Sequence, residues 1–422
     1  MKLESSSSTA NTTSKSSLLR RSLSEREATP SKHKDTQNGR PILYALLNAE
    51  GLSAQKFTLS CHLGIAEASG RDLVVLPFQS GHYGNSLIRM EDYFDNTTKL
   101  YPPNVSWKTA DPYDANSVNM SLQTDVKSNC MLVVGSQTAY KHYSFVPNDE
   151  HREDNGQPAF LPRPISIDWF GGENGDGNVP TFFNDLVNWI NTKYAPTEDA
   201  CIVGRPWQSI CSEISHPEML ESSNFVKELV QKGIFNVLLK HGLSYSGGDA
   251  LAADLIIAYD AVHLRRGDKC GAQWISPLRC GPAKDLPFID MCQKSKRPLY
   301  VSTDEQDPMF LRALQDAGCY VFDDLKLDLE KEISAYYAKL DNPPWQTLHP
   351  GALAFAMEAD IVKTAQESFT LGCSSFFYET MKYRKHKSLK PVQMYHPKRE
   401  MFIQVDPKTT GALDGCLEPI KM

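Results

Sequence analysis

Two adjacent arginines follow a buried apolar segment in the second half of the chain. They lie in His263-Leu264-Arg265-Arg266-Gly267-Asp268, directly after the apolar run that reaches residue 262. A guanidinium group binds phosphate oxygens through paired hydrogen bonds that a lysine ammonium cannot reproduce. Because these charges follow a predicted strand rather than an exposed helix, we interpret them as a site that binds the diphosphate of a ligand. A pair of surface ion pairs is the alternative.

Two further segments carry groups suited to ligand binding. Ser302-Thr303-Asp304 follows a short apolar run, where Asp304 either caps the next helix or holds a ribose, a base or a basic neighbour. Ser374-Ser375-Phe376 stands between a predicted strand and a predicted helix. Backbone N–H groups and hydroxyls at such a position form an anion site, or cap the helix and do nothing more.

The first strand-to-helix turn holds a carboxylate beside a glycine. Glu50-Gly51-Leu52 occupies this turn, in which Gly51 permits close approach of the backbone to a ligand. Glu50 would stand at the mouth of a cleft, able to accept a proton. Near the other end of the chain, the basic run Lys382 to Lys387 is interpreted as a solvated face.

Two series of strands and helices must position these segments. The first has predicted strands at 41–47, 73–77 and 131–134 and helices at 54–68, 183–194 and 223–241. The second has predicted strands at 255–262, 299–301, 320–322 and 369–372 and helices at 309–317, 351–365 and 377–385. Such alternation predicts an α/β fold of two doubly wound, Rossmann-like domains, 41–245 and 246–422, that face each other across a cleft.

Composition narrows the class of protein. The chain has 422 residues, 41% of them apolar, and a net charge of −7. This acidic balance disfavours general nucleic-acid binding, which needs a surplus of Lys and Arg. No apolar run is long enough for a transmembrane helix. Residues 1–40 are rich in Ser, Thr, Lys and Arg, and we expect a disordered tail there.

Cysteines and glycosylation acceptors bear on the compartment. The ten cysteines include no CxxC pair, which disfavours zinc; they fit either disulfides or buried thiols. Three acceptor motifs, at Asn96, Asn104 and Asn119, favour the secretory pathway. The N-terminus lacks the apolar core of a signal peptide. These two observations conflict, and the sequence leaves the compartment open.

The four segments together resemble the fucosyltransferase superfamily with the GT-B fold, particularly the protein O-fucosyltransferases. His263-Leu264-Arg265-Arg266 is similar to the H-x-R-R motif of that family, and Val301-Ser302-Thr303-Asp304 to its (V/A)-(S/A)-T-D segment. The stretch from Phe369 to Phe376 loosely resembles its F-x-G-x-x-S-S pattern. Glu50-Gly51-Leu52 looks like its donor loop.

The resemblance implies an inverting transfer of fucose from GDP-fucose to a hydroxyl of a protein or glycan, with no metal and no cofactor. Arg265 would neutralise the departing diphosphate and Glu50 would deprotonate the acceptor. The implied donor-binding residues are Gly51, Leu52, His263, Arg265, Arg266, Asp304, Ser374, Ser375 and Phe376. Two alternatives stay open: a glycosyltransferase of the same fold with another nucleotide sugar, and a non-catalytic relative that binds the nucleotide sugar.

Overall fold

The computed structural model describes residues 40–47, 51–76, 78–79, 87–96, 105–110, 132–134, 168–170, 183–204, 216–242, 259–266, 280–340, 348–372, 375–396 and 399–404. The predictions for residues 1–39, Glu50, Asp268 and Ser374 lie outside these ranges. None of the described helices is long and apolar enough to cross a membrane.

The first half of the chain forms a six-stranded parallel sheet. In chain order its strands and those of a small neighbouring pair are β1 (Ile42–Leu46), β2 (Asp72–Leu76), β3 (Phe78–Gln79), β4 (Leu87–Ile88), β5 (Trp107–Thr109), β6 (Leu132–Val134), β7 (Asp168–Phe170) and β8 (Ala200–Gly204). The order across the sheet is β5-β2-β1-β8-β6-β7, and β3 and β4 pair separately and antiparallel. Strands β1 and β2 read as apolar runs because parallel strands are buried on both faces.

The second half forms a five-stranded sheet in the order β10-β9-β11-β12-β13. Its strands are β9 (Asp260–Leu264), β10 (Leu299–Thr303), β11 (Ser368–Thr370), β12 (Gln393–His396) and β13 (Met401–Gln404). All neighbours are parallel except β12 and β13. The α/β class with parallel sheets is therefore confirmed, and the division into two domains across a cleft stays a prediction.

Eight described helices accompany the sheets. They are α1 (Leu52–Ala68), α2 (Phe183–Lys193), α3 (Asn224–Lys240), α4 (Ile289–Lys294), α5 (Pro308–Asp316), α6 (Leu329–Tyr337), α7 (Pro350–Thr364) and α8 (Ser375–His386). Short 3₁₀ turns lie at Met90–Asp92, Pro217–Met219, Ala283–Asp285 and Phe322–Leu325. Side chains start several helices: Ser223 accepts from the N–H of Val226, and Asp307 from that of Met309.

Helices join the two sheets. Helix α3 packs on α7, and α1 packs on α8, so that apolar residues from both halves of the chain share one core. Leu43 of β1 and Ile361 of α7 belong to this core, and each is fully buried. The packing brings α1 close to α7 and α8, the helices that connect strands of the second sheet.

Three expectations need correction. The strand predicted at 320–322 is an isolated bridge between Tyr320 and Tyr300, because the 3₁₀ turn begins at Phe322. The strand predicted at 255–262 ends at Leu264, so that two residues of the arginine motif belong to the sheet. The basic run 382–387 is not all solvated: Arg384 is fully buried and donates to four backbone carbonyl oxygens.

A disulfide closes part of the second half. Cys292 at the end of α4 is bonded to Cys319, 27 residues later. Gly318 turns the chain beside this bond with a φ of +88°, and a Cβ there would lie 3.2 Å from the carbonyl oxygen of Cys292. Cys61 and Cys280 are also disulfide-bonded. Of the two possibilities left by the sequence, disulfides are therefore present.

Candidate functional site

The carboxyl ends of β9, β10 and β11 lie side by side. Parallel pairing sets His263 opposite Ser302 on one side and Thr370 on the other. Arg265 and Asp304 are the first residues beyond β9 and β10. Three of the sequence-predicted segments therefore meet at one edge of the sheet, where ligands bind in proteins of this architecture.

Arg266 anchors this edge. Its backbone N–H donates to Asp304 Oδ1 at 2.6 Å, its Nε to Glu305 Oε2 at 2.8 Å and its Nη1 to the carbonyl oxygen of Gly281 at 2.8 Å. Its guanidinium also stacks 3.8 Å above the ring of Phe310. Burial opposes ionisation of Glu305, but the bond from Arg266 and two backbone N–H groups hold the pKa of that carboxyl below its usual value. Arg266 thus fixes Asp304 in place.

Arg265 differs from its neighbour. Its Nε lies 3.9 Å from Asp304 Oδ2, beyond hydrogen-bond distance, and the two side chains are 36% and 41% exposed. The Arg266 side chain is only 10% exposed. Arg265 is therefore the guanidinium of the pair that an anion can approach from solvent.

Aromatic stacking connects the arginine motif with helix α8. The His263 ring lies 4.1 Å from that of Phe376 at an interplanar angle of 20°. Phe355 of α7 meets Phe376 edge-on at 5.9 Å. Phe376 is 4% exposed, so its ring serves packing, and His263 is held by it at the carboxyl end of β9.

The first strand-to-helix turn reaches the same neighbourhood. Leu52 is buried and lines a small cavity together with Phe355, the residue that packs on Phe376. Gly51 precedes α1 with a φ of −67°, a value open to any residue. Apart from its chain neighbours, none of the described residues has an atom within 4 Å of the place that a Cβ at Gly51 would take. The space beside Gly51 is therefore open to a ligand.

Asp304 is not the cap of the following helix. That position belongs to Asp307, whose carboxylate accepts from the Met309 N–H at 3.0 Å. Asp304 instead accepts from the backbone N–H of Arg266 and lies 3.9 Å from the Nε of Arg265, while a ribose or a base as its partner stays a prediction. Ser375 is the first residue of α8, so the predicted anion segment ends in a helix N-terminus. Within the described residues, no three His, Cys, Asp or Glu side chains group as metal ligands.

Sequence reasoning missed an acid behind this edge. Glu358 on α7 accepts a hydrogen bond from the Tyr300 hydroxyl at 3.2 Å. Burial of its carboxyl, together with the nearby charge of Asp304, raises the pKa of Glu358 to about 8. Hydrogen bonds from Tyr300, Ser302 and the Thr303 backbone act in the opposite direction. Its sole signal in the sequence is one acid within an otherwise apolar part of α7.

A cavity of about 200 Å³ lies at the opposite edge of the sheet, beside Tyr259. Its polar lining groups bind each other. Glu221 holds Lys227 at 2.6 Å, and the Tyr259 hydroxyl lies 3.0 Å from the Thr364 hydroxyl. The carboxyl edge of the second sheet, with its two arginines, is therefore the candidate functional site.

Comparison with known proteins supports the fold. The sequence matches no family model and no curated protein. Among solved structures, ligand-free POFUT1 matches with 11% identity over 85% of this chain and 99% of that one, at a TM-score of 0.50. POFUT1 in complex with GDP-fucose matches with 13% identity over 86% and 99%, at 0.49. The fucosyltransferase NodZ from Bradyrhizobium matches with 11% identity over 87% and 99%, at 0.42. The predicted resemblance to fucosyltransferases is thereby confirmed at the level of the fold.

Proposed function

We propose that this protein is an inverting fucosyltransferase, which moves fucose from GDP-fucose to a hydroxyl of a protein or glycan without a metal ion. One observation carries the proposal. The carboxyl edge of the second sheet gathers His263, Arg265, Arg266 and Asp304, the residues of the two matched motifs, and does so in the fold of POFUT1. The GT-B arrangement, with 41–245 on the acceptor side and 246–422 on the donor side of a cleft, is part of the proposal.

Arg265 is assigned to the departing diphosphate. Negative charge grows on the β-phosphate as the bond to fucose breaks, and a guanidinium placed there in advance stabilises that charge. The exposure of Arg265 supports this role, because a phosphate oxygen can approach its guanidinium from solvent. His263, Arg266 and Asp304 support donor binding, Arg266 by holding Asp304 and the loop.

The start of α8 and the first strand-to-helix turn complete the site. Ser375 and Phe376 begin α8, where N–H groups favour an anion, and Ser374 precedes them in the sequence. Gly51 and Leu52 border the donor from the other sheet. Glu50, the residue before Gly51, is assigned as the base that deprotonates the acceptor hydroxyl while it attacks the anomeric carbon from the face opposite the diphosphate.

A donor screen tests the function. The thermal shift with GDP-fucose should exceed those with GDP-mannose and UDP-sugars, and GDP should be released slowly from GDP-fucose in water or quickly with an acceptor. Activity should persist in EDTA. A larger shift with another sugar nucleotide favours the other-donor alternative. Binding without any consumption favours the non-catalytic one.

An arginine comparison tests the mechanism. Arg265→Ala should lower kcat by about 10²–10³-fold. Arg297→Ala is the matched control: Arg297 is 37% exposed, against 36% for Arg265, but it pairs with Asp260 at the amino edge of the sheet. If Arg265→Ala were as active as Arg297→Ala, Arg265 would have no role in the reaction.

Gly51→Ala tests whether the donor reaches the first sheet. The backbone of Gly51 is ordinary, and an added Cβ would meet no atom of the described part of the chain beyond its neighbours in sequence. Folding should therefore be unchanged, while GDP-fucose should bind at least several-fold more weakly if its sugar or diphosphate fills that space. An unchanged dissociation constant would place the donor elsewhere.

A further inference from the structure

A buried charge cluster joins α1 to the helices behind the second sheet. It consists of Lys56, Asp360, Lys363 and Glu379, none of them more than 7% exposed. Lys56 Nζ lies 2.7 Å from Glu379 Oε1, and Lys363 Nζ lies 3.4 Å from the same oxygen. Lys363 also lies 3.3 Å from Asp360 Oδ1. Two cations and two carboxylates therefore balance each other away from water.

Hydroxyl groups complete the cluster. Ser53 donates to Glu379 Oε2 at 3.2 Å, and Ser222 donates to Asp360 Oδ1 at 2.7 Å. Burial alone would raise the pKa of Glu379, but Lys56 and Lys363 outweigh it and hold the pKa below its usual value. Burial lowers the pKa of Lys56 to about 8, and Glu379 opposes that change. The charge of Lys56 near neutral pH thus depends on Glu379.

Stability alone is a weak reason for such a cluster. Apolar residues of similar volume often stabilise a core as well as a buried ion pair does, because charges are costly to remove from water. An ion pair with hydrogen bonds adds a fixed direction and distance, which apolar contacts do not. The geometry of the cluster therefore matters more than its energy.

Helical spacing connects the cluster to the candidate site at both ends. Ser53 and Lys56 are three residues apart in the first turns of α1, directly after Gly51 and Leu52. Glu379 follows Phe376 by three residues in α8, so the two side chains share a face. Phe376 in turn stacks on His263. Two contacts, Lys56 with Glu379 and Phe376 with His263, are thus joined by one turn of α8 and connect the start of α1 with the arginine motif.

We propose that Lys56 and Glu379 are positioning residues that hold the Gly51–Leu52 turn of the first sheet at a fixed distance from the arginine motif of the second. The inference rests on the proposed function, in which the Gly51–Leu52 turn borders the fucose of the donor and follows the proposed base Glu50, while the arginine motif binds the diphosphate. A displacement of about 1 Å between reacting groups can cost about 100-fold in rate. Loss of the cluster should therefore misplace the turn relative to the fucose, while Arg265 and Asp304 still bind the diphosphate of GDP.

The test compares transfer with hydrolysis. Lys56→Met and Glu379→Gln should leave the dissociation constant of GDP within about threefold, since Arg265 and Asp304 are untouched, and should lower kcat of transfer by about 10- to 100-fold. Hydrolysis of GDP-fucose by water needs no placed acceptor, so the ratio of transfer to hydrolysis should fall about tenfold. Lys56→Arg, which keeps the cation, should recover part of the ratio.

The control is Lys387→Met. Lys387 makes a surface ion pair with Glu221 at 2.7 Å just beyond α8, and its loss should change neither kcat nor the ratio. If Lys56→Met fails to fold, Glu379→Asp keeps the charge but shortens its reach by one methylene, and the ratio should still fall. An unchanged ratio in folded variants overturns the inference.

Hydrogen exchange separates this inference from the proposed function. In Lys56→Met, exchange of the amides of residues 52–57 and 375–381 should rise together, whether or not the protein transfers fucose. A rise in only one of the two segments overturns the coupling. Absence of turnover in the unmodified protein with every donor overturns the proposed function and leaves the exchange result to decide on the coupling.

Discussion

The buried charge cluster and the carboxyl edge of the second sheet use charged side chains in opposite ways. In the cluster, Lys56 and Lys363 lie within 3.4 Å of Glu379 and are shielded from water. At the edge, the Arg265 side chain is more than a third exposed, and its Nε lies 3.9 Å from Asp304 Oδ2. A charge that is buried and paired stabilises one arrangement of the chain. A charge that is exposed can be approached by a ligand.

Arg265 and Arg266 repeat this contrast between neighbours in sequence. The guanidinium of Arg266 donates to Glu305 and to the carbonyl oxygen of Gly281 and stacks on Phe310. Its backbone N–H donates to Asp304. Both residues belong to one motif, yet they perform different tasks. The contrast predicts that substitution of the buried, paired residues mainly lowers stability, whereas substitution of Arg265 mainly lowers activity.

The largest effect is expected within the cluster. Glu379→Ala leaves two buried lysines without their shared carboxylate and should lower the free energy of unfolding by about 3–5 kcal/mol. Urea unfolding followed by circular dichroism measures it. Glu221→Ala is the control: its partners Lys227 and Lys387 are each 34% exposed, so about 1 kcal/mol or less should be lost. Equal losses would show that burial does not distinguish the two sites.

The arginine pair should give the next effect. Arg266→Ala removes two side-chain hydrogen bonds and a ring contact and should cost about 2 kcal/mol of unfolding free energy. Arg265→Ala should change stability by about 0.5 kcal/mol or less, although the proposed function expects it to lower kcat. Thermal unfolding of both variants measures the difference, and the reverse order would contradict the assignment of roles.

The pH dependence of stability tests Glu358. Its folded pKa of about 8 exceeds the value of an exposed glutamate, so the folded state holds a proton that the unfolded state releases, and stability should fall as pH rises from about 4.5 to 8. Glu358→Gln cannot ionise. The variant should therefore lose about 1–2 kcal/mol less than the unmodified protein between pH 5 and pH 8. Parallel stability profiles in that window would show that Glu358 ionises as an ordinary acid.

The smallest effect is expected at an exposed pair. Lys294 and Asp290 are four residues apart on α4 and are 72% and 74% exposed. Lys294→Ala should cost about 0.5 kcal/mol or less, and high salt should remove even that difference. A loss comparable to that of Glu379→Ala would mean that pairing matters without burial.

The edge of the second sheet could be predicted because its signals are local. Buried parallel strands read as short apolar runs, and the residues after them project from the carboxyl edge. Strands β9, β10 and β11 were found in this way, as were helices α3, α5, α7 and α8 within one or two residues. Strand β8 at Ala200–Gly204 was missed although Ala200 to Val203 are apolar, and it lies between β1 and β6.

The cluster could not be predicted because its partners are distant in sequence. Lys56 and Glu379 are 323 residues apart, and each taken alone looks like a polar residue on an ordinary helix. Arg384 was assigned to a solvated face for the same reason. The contact between the Arg266 N–H and Asp304, 38 residues on, follows from pairing of β9 with β10, which the motifs do not encode.

The bond between Cys292 and Cys319 has a practical consequence for making the protein. The ring that it closes contains β10 and Asp304, so the cross-link restricts the unfolded chain around one side of the candidate site. A disulfide that closes a loop of this length contributes about 3–4 kcal/mol to the free energy of unfolding. Recombinant protein from a reducing host would lack that contribution, and weak ligand binding by such a preparation would reflect the missing cross-link.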